Sequence, residues 1–304
     1  MKIAVIGAGA MGSLFGGLLA EAGADVWLYD IWDEHVNAIN KNGLSIEREG
    51  KFRSVSVKAT TDPNRIGISD LVIIFVKSTN TSQAAKTAKF LMDDSSLILT
   101  LQNGMGNADT IAETVEPSRI IAGTTSHGAT MLGPGRICHA GIGPTTIGMW
   151  TDGGKDKALY IAKFFSESGI KTEFMDDIKS VIWDKLLVNV GINAITALTA
   201  IKNGQLLDLS ATRDISRTAV EEAMELAREK GIHIREDAVE HVFEIAKATS
   251  PNRSSMGQDV DNKRITEIEA INGFVVREAS AMGIKVPVNK TLTSLIETVQ
   301  SHYE

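Results

Sequence analysis

Short apolar runs alternate with amphipathic stretches over roughly the first 125 positions of the chain. Lys2-Ile6, Asp25-Tyr29, Leu71-Val76, Ser96-Leu101 and Arg119-Gly123 are apolar on consecutive positions, as parallel strands covered on both faces are. Helical periodicity fills 10–23, 33–42, 79–91 and 107–115 between them, which predicts a doubly wound sheet. Leu44-Ile46 and Ser54-Lys58 flank the polar 47–51 segment and predict an inserted β-hairpin. Residues 126–149, with Gly and Pro at 133–135 and 143–144, predict short antiparallel strands that close the sheet. A helix at 155–168 and a strand at Lys171-Phe174 follow, and then the pattern turns helical over 178–200, 211–230, 236–247, 261–282 and 288–302. Pro251 and Pro287 punctuate the joins, while Gly231 and Gly283 stand just past helix ends, where a left-handed residue belongs. The expected organisation is an α/β domain over 1–175 and an all-helical domain over 176–304.

Composition narrows the function classes. The 304 residues suit two domains, and 43% hydrophobic with 23% charged residues is ordinary for a globular protein with a full core. A net charge of −7 lacks the basic face of a nucleic-acid binder, so no nucleic-acid partner is expected. Cys138 is the one cysteine, which rules out an intrachain disulfide; its strand-like setting favours a small filler over a catalytic thiol. The chain opens directly on a strand with no basic leader, and no run is read as approaching the length of a membrane span. A cytoplasmic protein without a membrane partner is therefore expected; a homodimer is plausible on general grounds alone, and no stripe or patch in the sequence identifies an interface.

The chemistry begins at Gly7-Ala8-Gly9-Ala10-Met11-Gly12, between the strand Ile3-Ile6 and a helix. Gly7 allows the tight turn, Gly9 lets the backbone approach a pyrophosphate, and Gly12 lets the helix pack on the strand. The hexapeptide alone is a weak signal; strand, helix, second strand and a terminal acid within about 30 residues make it a dinucleotide site. Asp30 ends the second strand, where a carboxylate accepts both adenosine ribose hydroxyls and repels a 2′-phosphate. No Arg or Lys lies in 30–34, so the local chemistry favours NADH over NADPH. A solvated loop acid, or a cap for the helix at 33–42, is the alternative role for Asp30.

A second constellation lies further along. Lys185, Asn189 and Asn193 recur at i, i+4 and i+8 on an otherwise oily helix, one stripe about 12 Å long. Asn disfavours helix interiors and a buried amide needs partners, so a polar ligand along the stripe is one reading and an interhelical polar contact the other. Asn252-Arg253-Ser254-Ser255-Met256 precedes the predicted helix carrying Glu267; taken alone, these residues read better as a helix cap and a surface charge than as a site. His127 and His139 lie in the strand-rich closing region and offer a second, less favoured acid.

Together these segments resemble the ketopantoate reductase (2-dehydropantoate 2-reductase) family from end to end. The likeness rests on GAGAMGSLFG, VKST around Lys77, LQNGMG around Asn103, IWDKLLVNVGINAITAL from Ile182, KNGQLL around Asn203, SSMGQD from Ser254 and RITEIEAINGF around Glu267. It implies a Rossmann-type dinucleotide-binding domain and an all-α C-terminal domain like that of 6-phosphogluconate dehydrogenase. The implied activity is reduction of 2-dehydropantoate to (R)-pantoate with NAD(P)H, a step towards pantothenate and coenzyme A. By motif, Lys185 is the general acid and Glu267 positions it. Asn189, Asn193, Asn252 and Ser255 hold the substrate, with Asn203 a weaker candidate; Lys77 and Asn103 lie beside the nicotinamide, and no metal is implied. The family's better-known members use NADPH, and Asp30 departs from that habit. That departure keeps open an NAD-dependent D-2-hydroxyacid dehydrogenase acting on another 2-keto acid. A non-catalytic dinucleotide sensor is the third class, and retention of Lys185 with Glu267 argues against it.

Overall fold

The computed structural model describes residues 1–303, which divide into two compact units. The first comprises 1–102 and 107–178; the second comprises, among the described residues, 103–106 and 179–303. The short turn at 103–106 thus belongs with the helices, although it follows a strand of the first unit.

In the first unit, β1 (Lys2–Ile6), α1 (Ala10–Glu21), β2 (Asp25–Tyr29) and α2 (Asp33–Asn42) lead into a hairpin of β3 (Leu44–Arg48) and β4 (Lys51–Val55). Then come β5 (Lys58–Thr60), β6 (Leu71–Ile74), α3 (Thr81–Phe90), β7 (Leu97–Thr100), α4 (Asn107–Ala112) and β8 (Ile120–Thr125). The unit ends on β9 (Gly128–Gly133), β10 (Arg136–Gly141), β11 (Thr145–Met149), α5 (Lys155–Glu167) and β12 (Thr172–Phe174). The main sheet runs β12-β11-β8-β7-β6-β1-β2-β5. From β8 to β5 its pairings are parallel, and β11 joins β8 antiparallel. β6 and β7 are buried along their whole length, which is why they read as unbroken apolar runs.

Two expectations need correcting. The strand predicted over Ser54-Lys58 is two strands: β4 ends at Val55 in the hairpin, and Lys58 starts β5, which pairs with β2 at the edge of the main sheet. The strands expected to close the sheet over 126–149 do so only in part. β11 pairs with β8, whereas β9 and β10 join the β3–β4 hairpin in a separate sheet ordered β4-β3-β10-β9. Nothing in strand alternation says which hairpin will be a neighbour, so this pairing was not readable from sequence.

The second unit contains α6 (Ile178–Thr199), a 3₁₀ turn at Asn203–Leu207, α7 (Ser210–Glu229), α8 (Ala238–Ala248), α9 (Ser255–Asp261), α10 (Asn272–Met282) and α11 (Pro287–Gln300). Its core gathers Trp183, Leu187, Val190, Val220, Val242 and Ile296, all 1% exposed or less. The single helix expected over 261–282 is broken: Lys263 takes a left-handed φ of +50°, and a 3₁₀ turn at Ile268–Ala270 precedes α10. A lysine in that conformation carries no sequence signal, and the break removes Glu267 from any regular helix. By length and composition the 22-residue α6 is apolar enough to cross a membrane, against the expectation that no run reached that length. With 61% of its most apolar window buried inside the protein and its Lys185 facing Glu267, it has the character of a core helix.

Glu222 of α7 holds this unit together. It is 7% exposed, and its carboxylate accepts the backbone N–H groups of Val288 and Asn289 and the Asn289 side-chain amide, all at 2.8–2.9 Å. It thereby satisfies the open donors at the start of α11. Glu222→Leu strands those donors in the core and is expected to lower stability by roughly 3 kcal/mol in urea unfolding.

Candidate active site

The candidate cofactor site lies in the first unit, where the strand order reverses between β1 and β6. Gly7 leaves β1 at φ +93°, and its N–H donates to the Tyr29 carbonyl at 2.9 Å. A Cβ at Gly12 would sit 1.9 Å from the Gly7 carbonyl oxygen, so α1 starts against the turn with no room for a side chain. Gly9, the N-cap of α1, has no atom within 4 Å of where its Cβ would be, and no side chain caps the helix. The first amides of α1 therefore open onto a cavity of about 430 Å³ lined by Gly7, Gly9, Asp30, Ile31, Val76 and Lys77. A glycine cradle, an uncapped helix and a carboxylate at the end of β2 fit the pyrophosphate and ribose of a dinucleotide. Asp30 is half-buried there, one carboxylate oxygen accepting the Trp32 N–H at 3.0 Å. A larger depression of about 540 Å³ lies at the other ends of the strands. There Lys58 pairs with Asp25, Asn40 bonds the Ala59 backbone and Ser54 bonds the Asn42 carbonyl, so its polar groups serve one another.

A separate polar cluster lies in the second unit. Lys185, Asn189 and Asn193 ride α6 in register, as the spacing predicts. Part of the Lys185 side chain still meets solvent, but protein crowds the amine: burial lowers its pKa to about 8, against the raising pull of the Glu267 carboxylate. Asn103 in turn donates its amide to Glu267 at 3.2 Å. That contact depends on Gly104, at φ +80°, where a Cβ would meet the Ala270 carbonyl oxygen at 2.5 Å. Met105 N–H donates to the same carbonyl at 2.8 Å, docking the Asn-Gly turn on the segment that carries Glu267. The family resemblance implies a place for Asn103 beside a nicotinamide; in the structure its amide bonds Glu267.

The remaining candidates divide by exposure. Asn193 is 5% exposed, and its side-chain N–H₂ finds no partner among the described residues, which a bound ligand or water would satisfy. Asn203 is 8% exposed, donates to the Thr249 hydroxyl at 2.9 Å and leaves its own amide oxygen unpartnered. Its backbone N–H donates to the Asn252 carbonyl at 3.0 Å, which fixes the loop bearing Asn252. Asn252 and Ser255 are both exposed. Ser254 is the buried cap of α9, accepting Gly257 N–H at 3.0 Å and the Thr196 hydroxyl at 2.7 Å. Sequence reasoning gave Arg253 no role; its guanidinium bonds the Ile201 carbonyl and grips Asp261 with two 2.8 Å contacts. His127 and His139 are buried against each other at 3.0 Å, and burial lowers the pKa of both. Cys138 is half-buried, and its bond to Glu47 pushes the thiol pKa up, away from nucleophilic use.

The chain is similar to known proteins along its whole length. The family model "Ketopantoate reductase PanE/ApbA" matches residues 3–152, and its C-terminal companion matches 177–300. A 2-dehydropantoate 2-reductase of Halobacterium salinarum is 38% identical, covering 99% of each chain. One from Pyrococcus abyssi is 37% identical over 98% of this chain and 97% of its own. Among solved structures, a PanE/ApbA family ketopantoate reductase from Ralstonia eutropha superposes with a TM-score of 0.91 at 34% identity, covering 99% of both chains. A D-mandelate dehydrogenase solved with NADH and anilino(oxo)acetate gives 0.93 at 30% identity, also over 99% of both. On both family models and full-length identity, the chain belongs to the ketopantoate reductase family.

Proposed function

We propose that this protein reduces 2-dehydropantoate to (R)-pantoate, a step towards pantothenate and coenzyme A, with Lys185 as the proton donor. The observation that carries the reading is the Lys185–Glu267 pair: a crowded amine whose pKa is drawn to about 8. An acid with a pKa close to working pH is partly protonated at rest and gives up its proton readily. Bound NAD(P)H supplies the hydride. Lys185 stabilises the oxyanion that forms on the former carbonyl oxygen, transfers its proton to it and is recharged from solvent. Glu267 favours the charged amine before transfer, and Asn103 holds Glu267 by hydrogen bond. Asn189 and Asn193 lie on the same helical stripe as Lys185 and serve the substrate's polar groups; Asn252 and Ser255 supply exposed groups for its carboxylate and hydroxyl. Asn203 acts through the loop whose Asn252 carbonyl it holds.

Gly7, Ala8, Gly9, Ala10, Met11 and Gly12 form the pyrophosphate turn in this reading, Lys77 borders the nicotinamide end, and Asp30 sets NADH over NADPH. The solved D-mandelate dehydrogenase at 30% identity, which holds NADH, supports that preference. Asp30→Ala is expected to weaken NADH and raise the NADPH/NADH ratio of kcat/KM about tenfold. An unchanged ratio in parallel steady-state assays means Asp30 does not read the ribose.

The likeness to D-mandelate dehydrogenase also supports a second reading, an NAD-linked dehydrogenase for another 2-keto acid. Steady-state kcat/KM for 2-dehydropantoate, phenylglyoxylate and branched 2-keto acids, with NADH and NADPH, separates the two. Preference for 2-dehydropantoate supports the first. Negligible turnover of it beside strong turnover of another acid selects the second.

A further inference from the structure

His35 of α2 is fully buried and bonded at both ring nitrogens. Its Nδ1 accepts the Gly135 backbone N–H at 3.0 Å. An amide can only donate, so Nδ1 carries no proton and the hydrogen of the neutral ring sits on Nε2. Burial lowers the His35 pKa, against the raising pulls of Asp30 and the Ala8 carbonyl, and so favours that neutral ring. Nε2–H then faces the Ser13 hydroxyl at 3.2 Å, and Ser13, equally buried, donates to the Ala8 carbonyl at 2.7 Å. The chain of donors therefore runs one way, from Gly135 through His35 and Ser13 to the middle of the glycine turn.

The end of that chain matters because a trans peptide is planar, with its C=O and N–H pointing in opposite directions. Holding the Ala8 carbonyl towards Ser13 turns the Gly9 N–H the other way. The Trp32 ring is stacked with the same imidazole, the centroids 5.2 Å apart and the planes 12° from parallel. The Trp32 backbone N–H is the one that holds the Asp30 carboxylate. One side chain thus braces both the glycine turn and the corner at the end of β2.

We propose that His35 is a positioning residue for dinucleotide binding, acting through Ser13 on the Ala8–Gly9 peptide. The proposal rests on the dinucleotide reading of the first unit. Titration calorimetry with NADH tests it, using two substitutions that divide the two functions of the ring. In His35→Gln the side-chain amide reaches the Nε2 position and can still donate to Ser13; in His35→Asn the shorter side chain can still accept from Gly135 but cannot reach Ser13. Ser13→Ala removes the relay without touching His35 or Trp32.

His35→Gln is expected to bind NADH within about threefold of the wild type, while His35→Asn and Ser13→Ala each raise Kd about tenfold. The double variant should be no weaker than either single, because both cut one chain. At saturating NADH, kcat should hold while KM for NADH rises. A purely structural role would let His35→Asn bind as tightly as the wild type, or make the double variant additive; either result overturns the proposal. Wild-type protein that binds neither NADH nor NADPH overturns the dinucleotide reading and the relay with it. Tight wild-type binding with unaffected variants overturns the relay alone.

Discussion

Lys185→Ala is expected to lower kcat for keto-acid reduction by about 10²–10⁴-fold, the usual contribution of a positioned general acid. The Kd for NADH should be unchanged, because Lys185 lies in the second unit and the glycine cradle and Asp30 lie in the first. Water can reach a space left by the lost amine, but it neither carries the charge that stabilises a forming alkoxide nor sits in a fixed place. Loss of NADH affinity together with kcat would mean that Lys185 supports the fold. Near-normal turnover would remove it as the acid.

Gly9→Ala and Gly12→Ala are both expected to lose NADH binding, but only the second at the expense of the fold, although both alter the same turn. At Gly12 the added methyl would stand 1.9 Å from a backbone oxygen, so the turn itself must open. The expected result is a lowered melting temperature in the protein without ligand, and no measurable NADH binding. At Gly9 the helix N-cap has φ −59°, which any residue adopts, and the methyl would meet nothing within 4 Å. Gly9→Ala should therefore melt like the wild type and yet bind NADH at least about a hundredfold more weakly, because the methyl fills the space the pyrophosphate needs. Thermal melts with and without NADH separate the two variants. Normal NADH affinity in Gly9→Ala would show that no phosphate approaches that backbone.

Much of this was legible in the sequence where a single local rule decided the structure. β1, β2 and α2 lie where their apolar runs and periodicity put them, and Gly231 and Gly283 take the left-handed conformation expected of residues past helix ends. The Lys185, Asn189 and Asn193 stripe needed only 3.6-residue periodicity. Features set by tertiary partners were not readable. The β9–β10 hairpin joins β3 through one parallel pairing between segments about 90 residues apart, which periodicity does not encode. The break at Lys263 looked like helix because its apolar spacing continues across it. Asn103 read as a turn residue after a strand, and only the docking of Gly104 on Ala270 brings it to Glu267. The family motif singled out Ser255 for the substrate, but which residue caps α9 was not legible until burial assigned that role to Ser254. His35 sits at an ordinary position on an amphipathic helix, and both of its partners are remote in sequence.

The central claim, that Lys185 with its lowered pKa donates the proton, is tested most directly by the pH dependence of kcat/KM for 2-dehydropantoate reduction. This quantity reports the free enzyme's ionisations. Only protonated Lys185 can donate, so the rate constant should be level below a break near pH 8 and fall tenfold per pH unit above it. A profile that runs flat through that region, or one whose break survives unchanged in Lys185→Ala, would contradict it.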